Sequence, residues 1–330
     1  MDIKNDIIDI VIPWVDGNDP IWIEEKNKYL KVNGDKSQNR FRDWGNLQYI
    51  FRGIEKFMPW INKVFFVTWG HLPKWINTNY EKLEIVNHRD YIPKEYLPTF
   101  NSNIIEMNLH RIKNLSEKFI LFNDDIFILK KIKKTYFFEN DLPKDMYIEY
   151  LKLNCSKRHS IMKKNYQTII NKYFHKSEFI KANFNKVLNL KYGIDNLKNM
   201  RMITKSNFED IYSEHLTQSF LKETFLEVWE KEGALLDEVC KNKFRSNSDI
   251  GVAICRYFQL LSGKFIPSKK KGKYFEISTN NELIISSIIK QKYKMICLND
   301  SKTDIDFEKA KNEINSALNK LLNEKSKFEL

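Results

Sequence analysis

Two periods of apolar and polar positions alternate along the chain. Ile7–Trp14 (IIDIVIPW), Lys63–Gly70 (KVFFVTWG) and Leu83–His88 (LEIVNH) are short apolar runs of strand type. Asn46–Trp60 instead places Leu47, Ile50, Phe51, Ile54, Phe57 and Met58 on one side at helical spacing. A helix around Asn103–Ile112 and a strand entering Asn123 are expected next. This alternation predicts an α/β fold: a mainly parallel sheet with helices on both faces. Ligands of such sheets bind beyond the carboxyl ends of the strands. Asp16, Trp69–His71, His88, Asp90 and Asn123–Asp125 all follow predicted strands, so polar residues gather at one rim.

The C-terminal half reads as largely helical. Ser219–Gly233 predicts a helix closing at glycine. Ser246–Lys264 predicts another, with Ser248 or Asp249 near its cap. A late strand is expected at Tyr293–Asp300. A final helix follows, with Phe307, Ala310, Ile314, Ala317, Leu318 and Leu321 on one stripe. Lys133–Lys205 is rich in Lys and Asn and weakly periodic, which predicts loops, short strands and a few helices. No internal repeat or long linker interrupts the chain.

Length and charge narrow the classes. The 330 residues allow one large domain or two smaller ones. No apolar run approaches the roughly eighteen residues of a membrane span. The N-terminus lacks the layout of a signal peptide, so a cytosolic protein is expected. Cys155, Cys240, Cys255 and Cys297 are scattered and read as reduced thiols. Cys155 and His159 alone do not make a zinc site. The net charge of +12 points to an anionic partner or to a soluble lysine-rich surface. Its densest clusters are Leu129–Lys134 (LKKIKK) and Ser268–Lys273 (SKKKGK). Nucleic acid is not the expected partner, because neither a basic stripe nor a known binding module is evident.

Adjacent carboxylates in KFILFNDDIFILKK raise the sharpest chemical question. Asp124 and Asp125 sit between two apolar runs, where charge is costly unless paired or bound to a cation. The stretch is either a tight turn or a cation site. VDGNDP, holding Asp16, is either a surface turn or a phosphate loop. In LPTFNSNIIEMNLH, Ser102 or Asn103 could cap a helix with Glu106 and His110 on one face. Its first amides could bind an anion, or the helix is simply capped and exposed. His215 and Arg245 precede expected helices, where a base and a phosphate clamp could sit, or structural residues.

Together these segments resemble the Stealth family. DIVIPWVDGNDPIW is similar to its first conserved region. The stretch from RFRDWGNLQYIFRGIEKF to NDDIFIL is similar to its second, HLTQSFLKETFLEVWE with FRSNSDIGVAICRYFQLLSGK to its third, and KMICLNDSKTDIDFEKAKNEIN to its fourth. The resemblance implies a Rossmann-like or GT-A-like α/β core. It implies a phosphotransferase that moves sugar-1-phosphate from a UDP-sugar to a glycan hydroxyl and releases UMP, in capsule or other surface polysaccharide synthesis. A metal-dependent glycosyltransferase releasing UDP is the alternative.

The implied cofactor is Mg²⁺ or Mn²⁺ on Asp124, Asp125 and Asn123. Catalytic roles fall to His215, Asp16, Arg245 and His110. His215 is the favoured base, with Asp16 or His110 as rival. Donor contacts fall to Asp16, Arg42, Arg52, Asn101, Ser102 and Glu106. The implied partners are the donor, an oligosaccharide or lipid-linked acceptor, and an anionic membrane touched peripherally at its inner face; a homo-oligomer stays open. Residues 1–132 would form the nucleotide-sugar core. Residues 133–213 would be a variable insertion that could meet the acceptor, and 214–330 would complete the site. Two departures from the family pattern stand out. Asp43 is followed by Trp44, Gly45 and Asn46 where acids are usual. His215 is followed by Leu216, Thr217 and Gln218 where prolines are usual.

Overall fold

The computed structural model describes residues 7–31, 42–151, 157–300 and 305–330, with side chains from residue 160 onward in the third stretch. The Cys155–His159 pair lies outside the described side chains.

From the N-terminus the elements are β1 (Ile8–Pro13), α1 (Pro20–Lys28), α2 (Leu47–Phe57), β2 (Val64–Thr68) and β3 (Leu83–Asn87). Next come α3 (His88–Tyr91), α4 (Ser102–Met107), β4 (Lys118–Leu121) and β5 (Ile126–Ile128). A hairpin, β6 (Phe138–Glu139) and β7 (Leu142–Asp145), leads to β8 (Glu149–Tyr150). Three helices follow, α5 (Lys157–Tyr173), α6 (Lys176–Val187) and α7 (Asn196–Met202), then β9 (Asp210–Ile211) and β10 (Gln218–Leu221). The chain continues through α8 (Lys222–Cys240), α9 (Ala253–Leu261), β11 (Ile266–Pro267) and β12 (Lys273–Glu276). It closes with α10 (Glu282–Ile289), β13 (Met295–Asn299) and α11 (Phe307–Leu321).

The main sheet has the order β10-β4-β1-β2-β3. Its three pairings from β4 to β3 are parallel, and β10 runs antiparallel on β4. Side chains alternate between the two faces, as the period of a strand requires. Ile10, Ile12 and Phe66 join the core under α2, while Val11, Phe65 and Val67 join the core on the opposite face. Strand order reverses between β1 and β4, the point where a doubly wound sheet opens its binding crevice. A second sheet, β12-β13-β5, abuts the first. The chain passes from one sheet to the other through the turn at Asp124–Asp125. The architecture is therefore a mixed α/β fold with a helical C-terminal portion, as the pattern predicts.

Several elements differ in extent from the expectations. The helix expected over Asn103–Ile112 stops at Met107 and continues as a 3₁₀ turn at Leu109–Arg111. At the break, the Asn108 side-chain amide donates to the Ile104 carbonyl, 2.9 Å away, competing with the helix ladder. Ser219–Leu221 is strand rather than helix, because pairing with β4 completes the sheet. The following helix runs past Gly233 to Cys240, with a local kink at Glu232. Helix α9 begins only at Ala253, since Asp249 holds a preceding turn. The middle of the chain is mostly helical, and its weak periodicity hid α5, α6 and α7.

Candidate active site

The adjacent carboxylates mark the rim where the two sheets meet. Strand β13 pairs with β5, placing Cys297 opposite Ile126 and beside Asp125. The Cys297 thiol donates to Asp125 Oδ2 at 3.2 Å, and His215 Nε2 lies 3.2 Å from the same oxygen. Asp125 Oδ1 is buried with no hydrogen-bond partner among the described residues. Ligand atoms of Asp125, His215 and Cys297 all lie within 4.8 Å of one another. Asp124 is exposed at the rim. Crowding by the surrounding protein, then the Asp125 carboxylate, pushes its pKa up to about 7, and Asp43 adds to the rise. The hydrogen bond to Asp125 raises the pKa of half-exposed His215. Burial and the same carboxylate push the Cys297 thiol well up, so it stays protonated and donates.

A second group faces this one. Arg245 Nη2 donates to Ser102 Oγ, and the Ser102 hydroxyl hydrogen-bonds Glu106. Glu106 also feels the charges of Arg245 and His215, but desolvation dominates and raises its pKa to about 7. Asp249, fully buried, fixes the arrangement. It accepts from Asn101 Nδ2 at 2.9 Å, Asn103 Nδ2 at 3.1 Å and the Ser246 backbone at 3.0 Å. The start of α4 and the turn carrying Arg245 are thereby locked together. Asn101 is wholly buried and spends its carbonyl capping α4 through Asn103 N–H.

At the end of β1, the Asp16 backbone N–H donates to His71 Nε2 at 2.7 Å. Asp16 Oδ1 accepts from Asn18 N–H at 2.9 Å, and Asp19 caps α1. The segment is a turn and also part of the rim. Beyond β2 and β3, a cavity of about 170 Å³ is lined by Trp69, Asn87, His88 and Arg89, among others. Burial depresses both His71 and His88, the latter to about 3.

Not every predicted residue joins this cluster. His110 packs in the core between Phe225 and Trp229, its pKa lowered by burial to about 3. The break after Met107 turns it away from Glu106. Arg52 is engaged by both Glu329 oxygens, at 2.8 and 2.7 Å, against the C-terminal segment. Arg42 pairs with Asp300 at 3.7 Å and stacks over Phe307. Asn123 closes the carboxylate turn, its carbonyl accepting from Ile126 N–H at 3.3 Å. The loop without prolines is anchored otherwise: Glu214 Oε2 accepts from Lys271 N–H at 3.1 Å, and Leu216 and Thr217 are buried. Cys297, Asp43 and Asp249 complete the site but went unassigned in the sequence. Only the closeness of Asp43 to Arg42 and the place of Cys297 within the predicted late strand hinted at them.

A carboxylate pair, a histidine and an arginine meet at the crevice of an α/β sheet, an arrangement that suits an enzyme acting on anionic substrates. Family models agree with that class: Stealth conserved region 1 matches residues 8–34, and conserved region 2 matches residues 40–146. A capsular polysaccharide phosphotransferase, WcwK of Streptococcus pneumoniae, is 44% identical over 98% of both chains. The receptor polysaccharide phosphotransferase WefC of Streptococcus oralis is 36% identical over 98% of this chain and 99% of its own. The exopolysaccharide phosphotransferase cps2G of Lactiplantibacillus plantarum is 31% identical over 98% and 96%. The chain belongs to the Stealth family and is a phosphotransferase. A crystal structure of an active-site mutant of LgtC aligns over 93% of this chain and 95% of its own, with a TM-score of 0.40 and 9% identity, too distant to bear on the chemistry.

Proposed function

We propose that this enzyme transfers sugar-1-phosphate from a UDP-sugar to a hydroxyl of a glycan acceptor and releases UMP, in capsule or other surface polysaccharide synthesis. The observation that carries the reading is the meeting of Asp124, Asp125, His215 and Arg245 at the sheet crevice, in a chain whose relatives are polysaccharide phosphotransferases.

The residues present fit a divalent cation. A buried Asp125 oxygen lacks a partner among the described residues, and desolvation followed by the charge of Asp125 raises Asp124. Asp124 and Asp125, with Asn123 beside them, would hold Mg²⁺ or Mn²⁺, which bind through few carboxylates plus substrate phosphates. When bound, the cation offsets charge on the diphosphate. Arg245, steadied by Ser102, grips phosphoryl oxygens. Asp125 holds the Nε2–H tautomer of His215, leaving Nδ1 to take the acceptor proton. The acceptor oxygen attacks the β-phosphorus, the bond from that phosphorus to the UMP oxygen breaks, and the proton rests on His215. The cavity beside Trp69 and His88, close to the Asp16 turn, offers an aromatic face and a cation (Arg89) for the nucleoside end. Acceptors on a lipid carrier would be met at the inner face of an anionic membrane, touched without spanning; no described helix is long and apolar enough to cross one.

Incubation with UDP-hexoses or UDP-N-acetylhexosamines, Mn²⁺ and a capsule-type oligosaccharide tests the reading. UMP is the expected nucleotide product. UDP alone would assign attack at the sugar carbon and a glycosyltransferase instead. Asp124→Asn should weaken Mn²⁺ binding, read by electron paramagnetic resonance without substrate, while the far-ultraviolet circular dichroism stays unchanged.

A further inference from the structure

The connection from α6 and the helix α7 that follows spend their outward positions on large apolar side chains. Leu190 is 96% exposed, Ile194 81%, Leu197 62% and Met200 55%. Loose packing does not explain this, because the inward positions are firmly held. Tyr192 and Asn199 are buried, and the Asn199 amide donates to the Tyr147 and Val187 carbonyls at 2.8 and 2.6 Å. Its oxygen accepts from Glu149 N–H at 2.7 Å. Four large exposed apolar side chains within eleven residues of an anchored scaffold point to an interaction surface.

Charge selects the partner. Residues 190–205 carry four basic residues, Lys191, Lys198, Arg201 and Lys205, against one acid, Asp195. All four are exposed. Asp195 is itself offset by Lys198 at 2.7 Å and Lys270 at 3.8 Å. Lys270 brings the Lys269–Lys273 cluster against the same patch. Apolar side chains ringed by lysine and arginine are the composition of a surface that lies in the headgroup region of an anionic bilayer. A second copy of the chain fits poorly, since a self-complementary contact would press like charges together.

We propose that Leu190, Ile194, Leu197 and Met200 insert into an anionic lipid surface while the surrounding basic side chains bind its headgroups. The patch is joined to the catalytic rim. Lys271, next to Lys270, holds Glu214 through its backbone N–H, and Glu214 precedes His215. Docking there would set the His215 side of the crevice close to the membrane. The proposal deepens the membrane part of the functional reading, but vesicle binding needs neither donor nor acceptor.

Co-sedimentation with phosphatidylcholine vesicles, with and without phosphatidylglycerol, tests it. The protein should bind the mixed vesicles at low salt and bind them less as salt rises. The Ile194→Ser/Leu197→Ser double variant, altered only at exposed positions, should bind at least about tenfold more weakly with an unchanged melting temperature. Absence of binding at low salt, or equal binding by the double variant, overturns the proposal. Concentration-dependent self-association that the double variant abolishes also overturns it, in favour of a second copy. Vesicle binding that fails while UMP release holds rejects this surface alone. UMP release that fails while vesicle binding holds rejects the transfer reaction alone.

Discussion

Glu106 shows how burying one carboxyl at the candidate site costs stability. Burial raises its pKa to about 7 from the ordinary 4.5, despite Arg245 nearby. The folded state therefore binds its proton more tightly than the unfolded chain does. That contribution is complete below about pH 4.5 and is lost as pH rises through about 7. Glu106→Gln mimics the protonated form. It should match the wild-type melting temperature near about pH 5 and exceed it near about pH 8; a difference of opposite sign would show that Arg245 dominates. His215→Ala should lower UMP release by roughly 10²-fold or more, with little change in Mn²⁺ binding. Near-normal turnover would move the base to Asp16, since His110 is walled into the core. The spacing of Glu106 and His110 suggested one face, and it misled because a single residue, Asn108, ends the helix between them. The same Asn, Ser and Asp types that signal a site also signal a turn. Asp249 illustrates this: its residue type suggested a helix cap, yet it is the buried tie between two loops.

Elements with a one-sided apolar stripe were legible. Helix α2 buries Leu47, Ile50, Phe51, Ile54 and Phe57, and α11 buries Ala310, Ile314, Ala317 and Leu318. The strands that lead to Asp16, His71, His88 and Asn123 were legible too, because the strands of a parallel sheet read as apolar runs. Strand β10 was not, since four residues at a sheet edge carry less signal than the long helix that follows. Gly53 was equally silent, yet α2 needs it. A Cβ there would meet the Ile128 carbonyl oxygen at 2.9 Å, so the helix approaches β5 more closely than alanine allows. Gly53→Ala raises helix propensity but should still destabilise, by about 1–3 kcal/mol. Urea denaturation measures the sign, and a more stable variant would mean that α2 can back away. Because β5 begins at the Asp124–Asp125 turn, a shift of α2 should also reduce Mn²⁺ affinity.

The whole molecule is tied together by pairings distant in sequence. Residues 214–330 supply β10 to the main sheet and β12 and β13 to the second, so the late part of the chain is built into the early part. The helices of the middle stretch are fastened by a buried ion pair, Lys176 with Glu149 at 2.8 Å, each almost wholly buried. Glu149 also accepts from Tyr147 Oη and Glu209 N–H, so the charge is well satisfied. Removing only the cation strands the carboxylate. Lys176→Met should cost about 3–5 kcal/mol in urea denaturation, and a loss below about 1 kcal/mol would place the pair in a wetter setting. No periodicity could announce this, since an ion pair across the fold leaves no local trace. The turn between the two sheets has a further consequence, in time rather than space. Asp125 leaves the ribosome 172 residues before Cys297, an interval of roughly ten to thirty seconds at ordinary elongation rates. During that interval the nascent chain has its carboxylates but neither the strand that braces them nor, at first, Arg245. If the proposed site is the working one, activity should therefore begin only as translation nears its end, and chains truncated before Cys297 should be inactive.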